Sequence, residues 1–474
     1  MLFYEPLFLF VFFPAVYGIY LATERWRQMR ALVLLLASVA FYTWSEPLFV
    51  PVVFASAAFD HAMARGIAQA PERRAARLML CLGVLSNLGI LVFYKYTRFA
   101  IANIDVLLAS GELPQLGIPN ILLPIGVSFI VFEKITYLVD VHRRLCRPAD
   151  RLHTYLLYVF FFPKLLAGPI IKYHELEAQL RALPRATCDD FCTGFARFML
   201  GVAKKALLAN TLAKGADMVF GDIGGTIGFA NAWWGVALFT FQIYFDFSSY
   251  SDMAIGIARM LGIRLRENFD KPYISASITE FWRRWHISLS TWIREYLYIP
   301  LGGNRVGAVR QYTNLWICFL ASGLWHGAAW TFVLWGAYNG LFLMLDKLFL
   351  LRLLARLPRL ASTLITFAIV LVGWTIFRAT SLSQIGAFVS AMVHPGQEGL
   401  TYTIWITPDL KAALAISTVI CAMPLLPAYP RLRAWVLEDR WATVAAHTAM
   451  LVLFVGAVGK AMTDPFTPFI YFRF

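Results

Sequence analysis

The apolar positions of this chain lie in long runs, which short polar and charged segments separate. A helix needs about 20 apolar residues to cross the hydrocarbon core of a bilayer, and most runs are close to that length. The pattern therefore predicts an all-α polytopic membrane protein of about 11–13 membrane helices. The predicted spans are residues 3–22, 31–45, 48–64, 78–96, 119–141, 154–171, 191–213, 229–261, 311–346 (divided into two), 361–378, 409–427 and 441–461.

Three segments depart from simple spans: 102–118, 154–174 and 262–310. The first is predicted to be an external loop or a surface helix. The second holds Pro163, Gly168 and Pro169 within an apolar run, which predicts a re-entrant or interfacial segment because these residues break helices. The third is the most polar long stretch. Non-helical backbone at membrane depth must be buried in protein or line a cavity, so we expect the functional site near it.

Basic residues form clusters that follow alternate spans, and the loop 380–408 has no Lys or Arg. The clusters are Arg25, Arg27 and Arg30; Arg65, Arg73, Arg74 and Arg77; Arg143, Arg144, Arg147 and Arg151; Lys347, Arg352, Arg356 and Arg359; and Arg431, Arg433 and Arg440. Positive clusters stay on the cytoplasmic side, so both termini are predicted to lie outside. The first apolar run lacks a basic leader, and we interpret it as a retained span.

Composition supports one membrane domain over residues 1–474. The chain is 59% hydrophobic and only 15% charged, whereas a soluble domain carries about 25% charged residues. The net charge of +14 does not indicate nucleic-acid binding, because no soluble basic domain is present to carry it. The six cysteines have no framework or metal-site spacing.

His326 is the most informative single residue. It is the only acidic or basic residue within the apolar run 315–345. Such residues are costly at membrane depth and mark functional sites. Imidazole also suits proton transfer near neutral pH. The alternative is a structural histidine that is bonded to a neighbouring helix. Its small neighbours, Gly323 and Gly327 among them, would let a substrate or another helix approach closely.

A second histidine, His286, lies in the segment 279–296, which is predicted to be one amphipathic helix. Its apolar stripe is formed by Trp282, Trp285, Leu289, Trp292 and Tyr296, with Arg283, Arg284, Arg294 and Glu295 largely on the other face. His286 is expected at the edge of this stripe. The helix could anchor the protein at the interface, or its Arg and Trp side chains could hold an anionic, ring-bearing ligand.

Acidic residues also interrupt the apolar run 241–254. Asp246 and Asp252 need partners there, and Arg283, Arg284 or a histidine could supply them. An orienting or pathway role and a structural ion pair or N-cap are equally consistent with the pattern. No phosphate-binding GxxxxGK[ST] loop, GxSxG elbow or HExxH motif occurs, and no cluster of ligands predicts a metal site.

Several blocks of sequence together resemble the membrane-bound O-acyltransferase (MBOAT) family. They are residues 267–305, 322–340, 123–141, 163–173, 245–263 and 468–474. Within the family, the chain is most similar to membrane subunits that serve O-acetylation of alginate and other bacterial exopolysaccharides. The resemblance implies a helical fold around a transmembrane tunnel, with a catalytic core at about 119–346. It implies that His326 and His286 are the two catalytic histidines.

The resemblance also implies the chemistry and the partners. The expected reaction is transfer of an acyl group, most simply acetyl, from a cytoplasmic thioester such as acetyl-CoA, with no permanently bound cofactor. An SGNH-type, serine-esterase-like periplasmic partner and the polysaccharide biosynthesis machinery are expected to act with it at the bacterial inner membrane. Candidate tunnel or substrate residues are Trp282, Arg283, Arg284, Trp285, Asp246, Asp252, Trp325 and Asn339.

Two alternatives remain at this point. One is D-alanyl transfer to an acceptor of the teichoic-acid type, which a close branch of the family performs. The other is a polytopic transporter or flippase without chemistry, because broken spans and buried Asp and His residues also suit a permease. Transporters often contain internal repeats, and none stands out in this sequence.

Overall fold

The computed structural model describes residues 1–221, 227–397, 399, 406–464 and 468–470. These residues form helices and connecting segments without a β-strand, so the predicted all-α fold is confirmed. Four helical segments in the described part are individually long and apolar enough to cross a membrane. They are Arg73–Ser110, Arg359–Arg378, Pro408–Leu425 and Arg440–Thr463. The chain divides into two compact units, and the prediction of one domain over 1–474 stays a prediction.

Unit 1 comprises Met1–Phe195 and Ala254–Arg266. Its α-helices are α1 (Phe13–Ala22), α2 (Arg27–Ser45), α3 (Val50–Gln69), α4 (Arg73–Leu91), α5 (Thr97–Ser110), α6 (Val127–His142), α7 (Leu152–Phe160), α8 (Tyr173–Ala182) and the first part of α9 (Cys188–Ala203). π-helical turns at Phe8–Phe12 and Val92–Tyr96 join α1 and α4 to their neighbouring segments.

Helix α6 forms the centre of unit 1, and its charged residues are paired inside the protein. Lys134 contacts Asp60 of α3 at 3.2 Å, and the adjacent Glu133 forms an ion pair with Lys164. Asn87 of α4 donates to the same Asp60 carboxylate at 2.8 Å. Charges at this depth persist only when paired and hydrogen-bonded, so these contacts fix how α3, α4 and α6 pack.

The break predicted within 154–174 is found, whereas the external position predicted for 102–118 stays a prediction. Helix α7 ends at Phe160, and the following non-helical residues are buried, with the Tyr158 hydroxyl donating to the carbonyl of Ile171 at 2.8 Å. The segment 102–118 is helical as far as Ser110. Beyond Ser110, the backbone N–H groups of Leu116 and Gly117 donate to the Asp105 carboxylate at 2.7 and 3.2 Å.

Unit 2 comprises Ala196–Met253 and Glu267–Phe474. Its helices include most of α11 (Phe229–Met260) and α10 (Asn210–Gly221), α12 (Ile278–Arg284), α13 (Ile287–Ile293), α14 (Ala308–His326), α15 (Trp330–Leu345), α16 (Leu351–Leu354), α17 (Arg359–Arg378), α18 (Leu382–Val393), α19 (Pro408–Ala422), α20 (Tyr429–Glu438) and α21 (Arg440–Thr463). Further turns are π-helical at Lys204–Ala209, Arg294–Tyr298 and Asp346–Leu350, and 3₁₀ at Pro272–Ile274 and Met423–Leu425.

The prediction of one amphipathic helix over 279–296 is wrong. The segment forms α12, α13 and a π-helical turn, and His286 separates the two helices with a left-handed φ of +44°. The tryptophans of the predicted stripe are nevertheless buried. Spacings of three and four residues therefore identified the inward-facing side chains. They could not reveal that a left-handed residue ends the helix between them.

Helices α14 and α15 meet at glycines. The run 311–346 is divided as predicted, since α14 ends at His326 and α15 begins at Trp330. A Cβ on Gly323 would lie 2.2 Å from the carbonyl oxygen of Phe332, and one on Gly336 would lie 2.4 Å from that of Phe319. Because Gly323 has no side chain, helix α15 can approach α14 closely. This is one of the two possibilities that the sequence left open.

We expect Gly336→Ala to destabilise the protein, because the added methyl group meets rigid backbone and forces α14 and α15 apart. Overpacking of this kind costs about 1–3 kcal/mol. The measurement is the thermal unfolding midpoint of the detergent-purified protein. Gly89→Ala in α4 is the matched control, since its Cβ would meet no atom within 4 Å. Equal midpoints for the two variants would contradict the close contact.

Candidate active site

His326 occupies the last turn of α14 and is surrounded by aromatic rings. Its side chain is only 5% exposed. Its ring centroid lies 5.0 Å from those of Trp325 and Trp335 and 5.3 Å from that of Phe377, each in an edge-to-face arrangement. Such a cage excludes water and fixes the orientation of the imidazole ring.

His286 lies on the other side of Trp325. Its ring centroid is 5.9 Å from that of Trp325 and 4.7 Å from that of Phe247, and its side chain is fully buried. The structure therefore brings the two predicted histidines together, with one indole ring in contact with both. Forty residues separate them in the sequence, so this proximity arises only from the fold.

Asn268 sets the tautomer of His286. The side-chain oxygen of Asn268 accepts hydrogen bonds from the backbone N–H and the hydroxyl of Ser288 at 3.2 and 2.9 Å, which fixes the orientation of the amide. His286 Nδ1 lies 3.1 Å from this same oxygen. Because the oxygen can only accept, we assign the proton of the neutral ring to Nδ1. His286 Nε2 then carries a lone pair.

The protonation state of His286 follows from its surroundings. The segment 262–310 lies outside the candidate membrane spans, and burial lowers the pKa of His286 to about 3. The imidazole is therefore neutral near pH 7. In this state Nε2 accepts a hydrogen bond or a proton and does not donate one, which favours an orienting or acceptor role over direct stabilisation of an oxyanion.

Further tryptophans extend the aromatic cage. Trp282 lies 5.6 Å from Trp335, and Trp285 lies 4.7 Å from Trp374, between ring centroids. The indole N–H groups of Trp282 and Trp374 are buried and have no hydrogen-bond partner within the described residues. Buried donors without a partner are uncommon in proteins, so both positions are notable. Trp335, Trp374 and Phe377 were not predicted, because nothing distinguishes their sequence positions from ordinary apolar residues.

Asp246 and Asp252 do not pair with Arg283, Arg284 or a histidine as predicted. Asp246 contacts Lys205 at 2.6 Å and accepts the backbone N–H of Ile470 at 2.6 Å. Asp252 contacts Arg197 at 2.6 Å and Lys204 at 2.7 Å. The cationic partners of both carboxylates come from residues 197–205, which lie 41–55 positions earlier in the chain. Separations of this size leave no periodic signal.

The remaining predicted residues have partners or surroundings of other kinds. Arg283 is exposed, and Arg284 is paired with Asp270 at 3.1 Å and with Glu280 at 2.9 Å. Asn339 is buried and donates to the backbone carbonyl of Trp335 at 2.9 Å, within its own helix. Its side chain therefore supports the helix that carries Trp335.

A cavity of about 950 Å³ adjoins this site in unit 2. Its lining includes Asp252, Asn268, apolar residues of α19 and the cations Arg197, Lys204, Lys271, Arg433 and Lys460, but neither histidine. The buried hydroxyl of Ser248 also lines it and has no hydrogen-bond partner in the described part of the chain. Asn268 thus contacts His286 and also lines the cavity wall.

The comparisons with known proteins identify the family. Residues 150–383 match the profile of the membrane-bound O-acyltransferase family. The chain is 37% identical to the probable alginate O-acetylase AlgI of Azotobacter vinelandii, over the whole of both chains. The chain belongs to the membrane-bound O-acyltransferase family. The alternative of a transporter without chemistry is therefore not supported.

Two other relatives show how the similarity varies within the family. The O-acyltransferase described here is 34% identical to the peptidoglycan O-acetyltransferase of Helicobacter pylori, over 83% of this chain and 80% of the relative. It is 26% identical to the teichoic acid D-alanyltransferase of Bacillus subtilis, over 52% of this chain and 66% of the relative. Enzymes of this family need no permanently bound cofactor in general. No group of three or more potential metal ligands occurs among the described residues.

Asn268→Ala should reduce the activity of this O-acyltransferase by about 10-fold or more, a part of the 10²–10⁴-fold effect of a positioned acid–base group. The reason is that His286 loses the acceptor that fixes its tautomer and orientation. We expect this loss of activity to appear as a lower kcat in an acyl-transfer assay in detergent. The matched control is Asn314→Ala, which removes a buried amide bonded to the carbonyl of Leu301. An unchanged kcat in Asn268→Ala would contradict the assignment.

Proposed function

We propose that this enzyme takes an acetyl group from cytoplasmic acetyl-CoA for the O-acetylation of an extracellular polysaccharide such as alginate. The observation that carries the proposal is the pair of buried histidines on one indole ring, next to a cavity that is lined by apolar and charged side chains. Full-length similarity to a probable alginate O-acetylase supports acetyl as the group transferred. D-alanyl transfer is the less supported alternative, because that relative matches only 52% of the chain.

The proposed chemistry needs a base for the acceptor alcohol. A thioester is already activated, so the remaining requirement is to remove the hydroxyl proton as the oxygen attacks. Neutral His326 accepts that proton while the new C–O bond forms. The tetrahedral intermediate then collapses, the C–S bond breaks, and the proton passes from His326 to the departing thiolate. His286, which is held by Asn268, orients the acyl group.

The cavity is the proposed binding site for the donor. A thioester of coenzyme A combines a flexible arm with several phosphate groups. The cavity combines apolar walls with five cationic side chains and with the carboxylates of Asp252, Glu267, Asp270 and Asp409. Two of these cations, Arg197 and Lys204, are neutralised by Asp252. The Arg433 side chain forms no hydrogen bond or ion pair with the described residues and is available to a phosphate.

The predicted orientation is part of the proposal. The basic cluster Arg431, Arg433 and Arg440 lies in or beside α20, and a cytoplasmic location for it would place the cavity opening on the side of acetyl-CoA. Both termini would then be periplasmic in a bacterial inner membrane. A periplasmic serine-esterase-like partner of SGNH type would receive the acetyl group and pass it to the polymer, together with the polysaccharide biosynthesis machinery.

His326→Ala should lower acetyl transfer from radiolabelled acetyl-CoA by about 10²–10⁴-fold, because the base is lost. The protein should still elute as a folded species from a sizing column in detergent. His447→Ala is the matched control, since His447 is exposed on α21 and bonds only to the carbonyl of Thr443 among the described residues. Near wild-type transfer by His326→Ala would overturn the proposed mechanism.

Arg433→Ala should raise the KM for acetyl-CoA with little change in kcat, because a phosphate contact remote from the thioester contributes equally to ground-state and transition-state binding. The matched control is Arg431→Ala, which removes an equal charge from the same helix at a position outside the cavity lining. Steady-state kinetics in detergent distinguish the two variants. Equal KM values for the two variants would argue against donor binding in this cavity.

A further inference from the structure

Unit 1 contains a second charged cavity, which the proposed reaction does not use. Its volume is about 500 Å³. It is lined by the first turns of α2, by residues 150–157 and by the end of α8. Arg27, Arg151 and Arg181 contribute three positive charges, and Asp150 contributes one negative charge. Two basic clusters that lie about 120 residues apart in the sequence therefore meet at one cavity.

The cations of this cavity are only partly neutralised. Arg181 contacts Glu177 at 2.6 Å and Asp150 at 3.3 Å. The side chains of Arg27, Arg151 and His153 form no hydrogen bond or ion pair with any of the residues that the structure describes. A guanidinium is suited to a phosphate because its N–H groups match two phosphate oxygens. The uncompensated groups therefore indicate an anionic ligand.

A neighbouring arginine shows that this corner of unit 1 is rigidly built. Arg30 is 3% exposed and donates to the carbonyl oxygens of Leu183 and Pro184 at 2.8 and 3.3 Å. Its guanidinium also lies over the ring of Tyr20 at 4.2 Å. These contacts hold α2 against the end of α8, so that the cavity walls are fixed before a ligand arrives.

The apolar part of the lining indicates what the ligand carries besides its charge. Arg27, Gln28, Ala31, Leu32 and Leu35 lie on one face of α2. A rise of about 1.5 Å per residue places Leu35 about 12 Å along the helix from Arg27. Leu157 adds a further apolar side chain. The face thus changes from cationic to apolar along the helix, as a phospholipid changes from its phosphate to its acyl chains.

We propose that this cavity binds a phosphodiester anion, namely the headgroup of an anionic phospholipid with its acyl chain along Leu32 and Leu35. Free phosphate shares the charge but has no group for the apolar wall. A basic cluster at a helix end can also act only by setting orientation in the bilayer. Arg27 and Arg151 therefore differ in their expected behaviour from Arg25 and Arg147, which belong to the same clusters but lie outside the cavity lining.

The experiment measures lipid binding to the full-length protein in detergent, by native mass spectrometry and by the thermal unfolding midpoint. Phosphatidylglycerol should bind and raise the midpoint, whereas phosphatidylcholine and inorganic phosphate at matched concentration should not. Arg27→Gln with Arg151→Gln should weaken phosphatidylglycerol binding by about 10-fold or more. The control, Arg25→Gln with Arg147→Gln, removes the same charge outside the cavity and should bind within a factor of about two of wild type.

Each other result decides against part or all of the proposal. Equal weakening in the two double variants would show a diffuse electrostatic effect and would overturn the site. Protection by inorganic phosphate as strong as that by phosphatidylglycerol would overturn the lipid as its ligand. If Arg27→Gln with Arg151→Gln does not fold, the single variants Arg27→Gln and Arg151→Gln replace it, and unchanged binding in both would equally overturn the proposal.

Discussion

The close approach of α14 and α15 is the contact on which the candidate site depends. Gly323 and Gly336 lie against backbone carbonyl groups of the facing helix, where any Cβ would overlap an oxygen atom. This contact places His326, at the end of α14, against Trp335 in the first half of α15. Without it the imidazole would lose one side of its aromatic cage. Two glycines that carry no reacting group thus determine the environment of the proposed base.

The neighbouring segment is organised by a different device. His286 adopts a left-handed backbone conformation, which costs a residue with a side chain about 1–3 kcal/mol unless the surroundings enforce it. Asn268 supplies part of that enforcement through its bonds to His286 and Ser288. The left-handed conformation of His286 separates α12 from α13 and turns its ring toward Trp325. Local strain and a specific hydrogen-bond network are therefore coupled at His286.

The sequence predicts the features that depend on composition and short spacing, and it fails where distant residues meet. The apolar runs, the break after His326 and the interruption at Pro163 follow from helix length and from helix-breaking residues. The helix boundary at His286 does not follow from the sequence, because the tryptophans before and after it keep helical spacing although His286 is left-handed. The partners of Asp246 and Asp252 come from residues 197–205, and Phe377 comes from a helix about 50 residues beyond His326. Contacts of this range carry no periodic signature in one sequence.

The paired charges around α6 constrain how the protein is made. Glu133 and Lys134 are neighbours in the chain, yet their partners are Lys164 and Asp60, which are synthesised after and before them respectively. A charge that is buried alone costs free energy until it is paired. The Asp60–Lys134 pair can therefore form only once α6 has been made, and the Glu133–Lys164 pair only once residue 164 has been made. Helices α3 and α6 thus acquire their final packing together rather than one after the other.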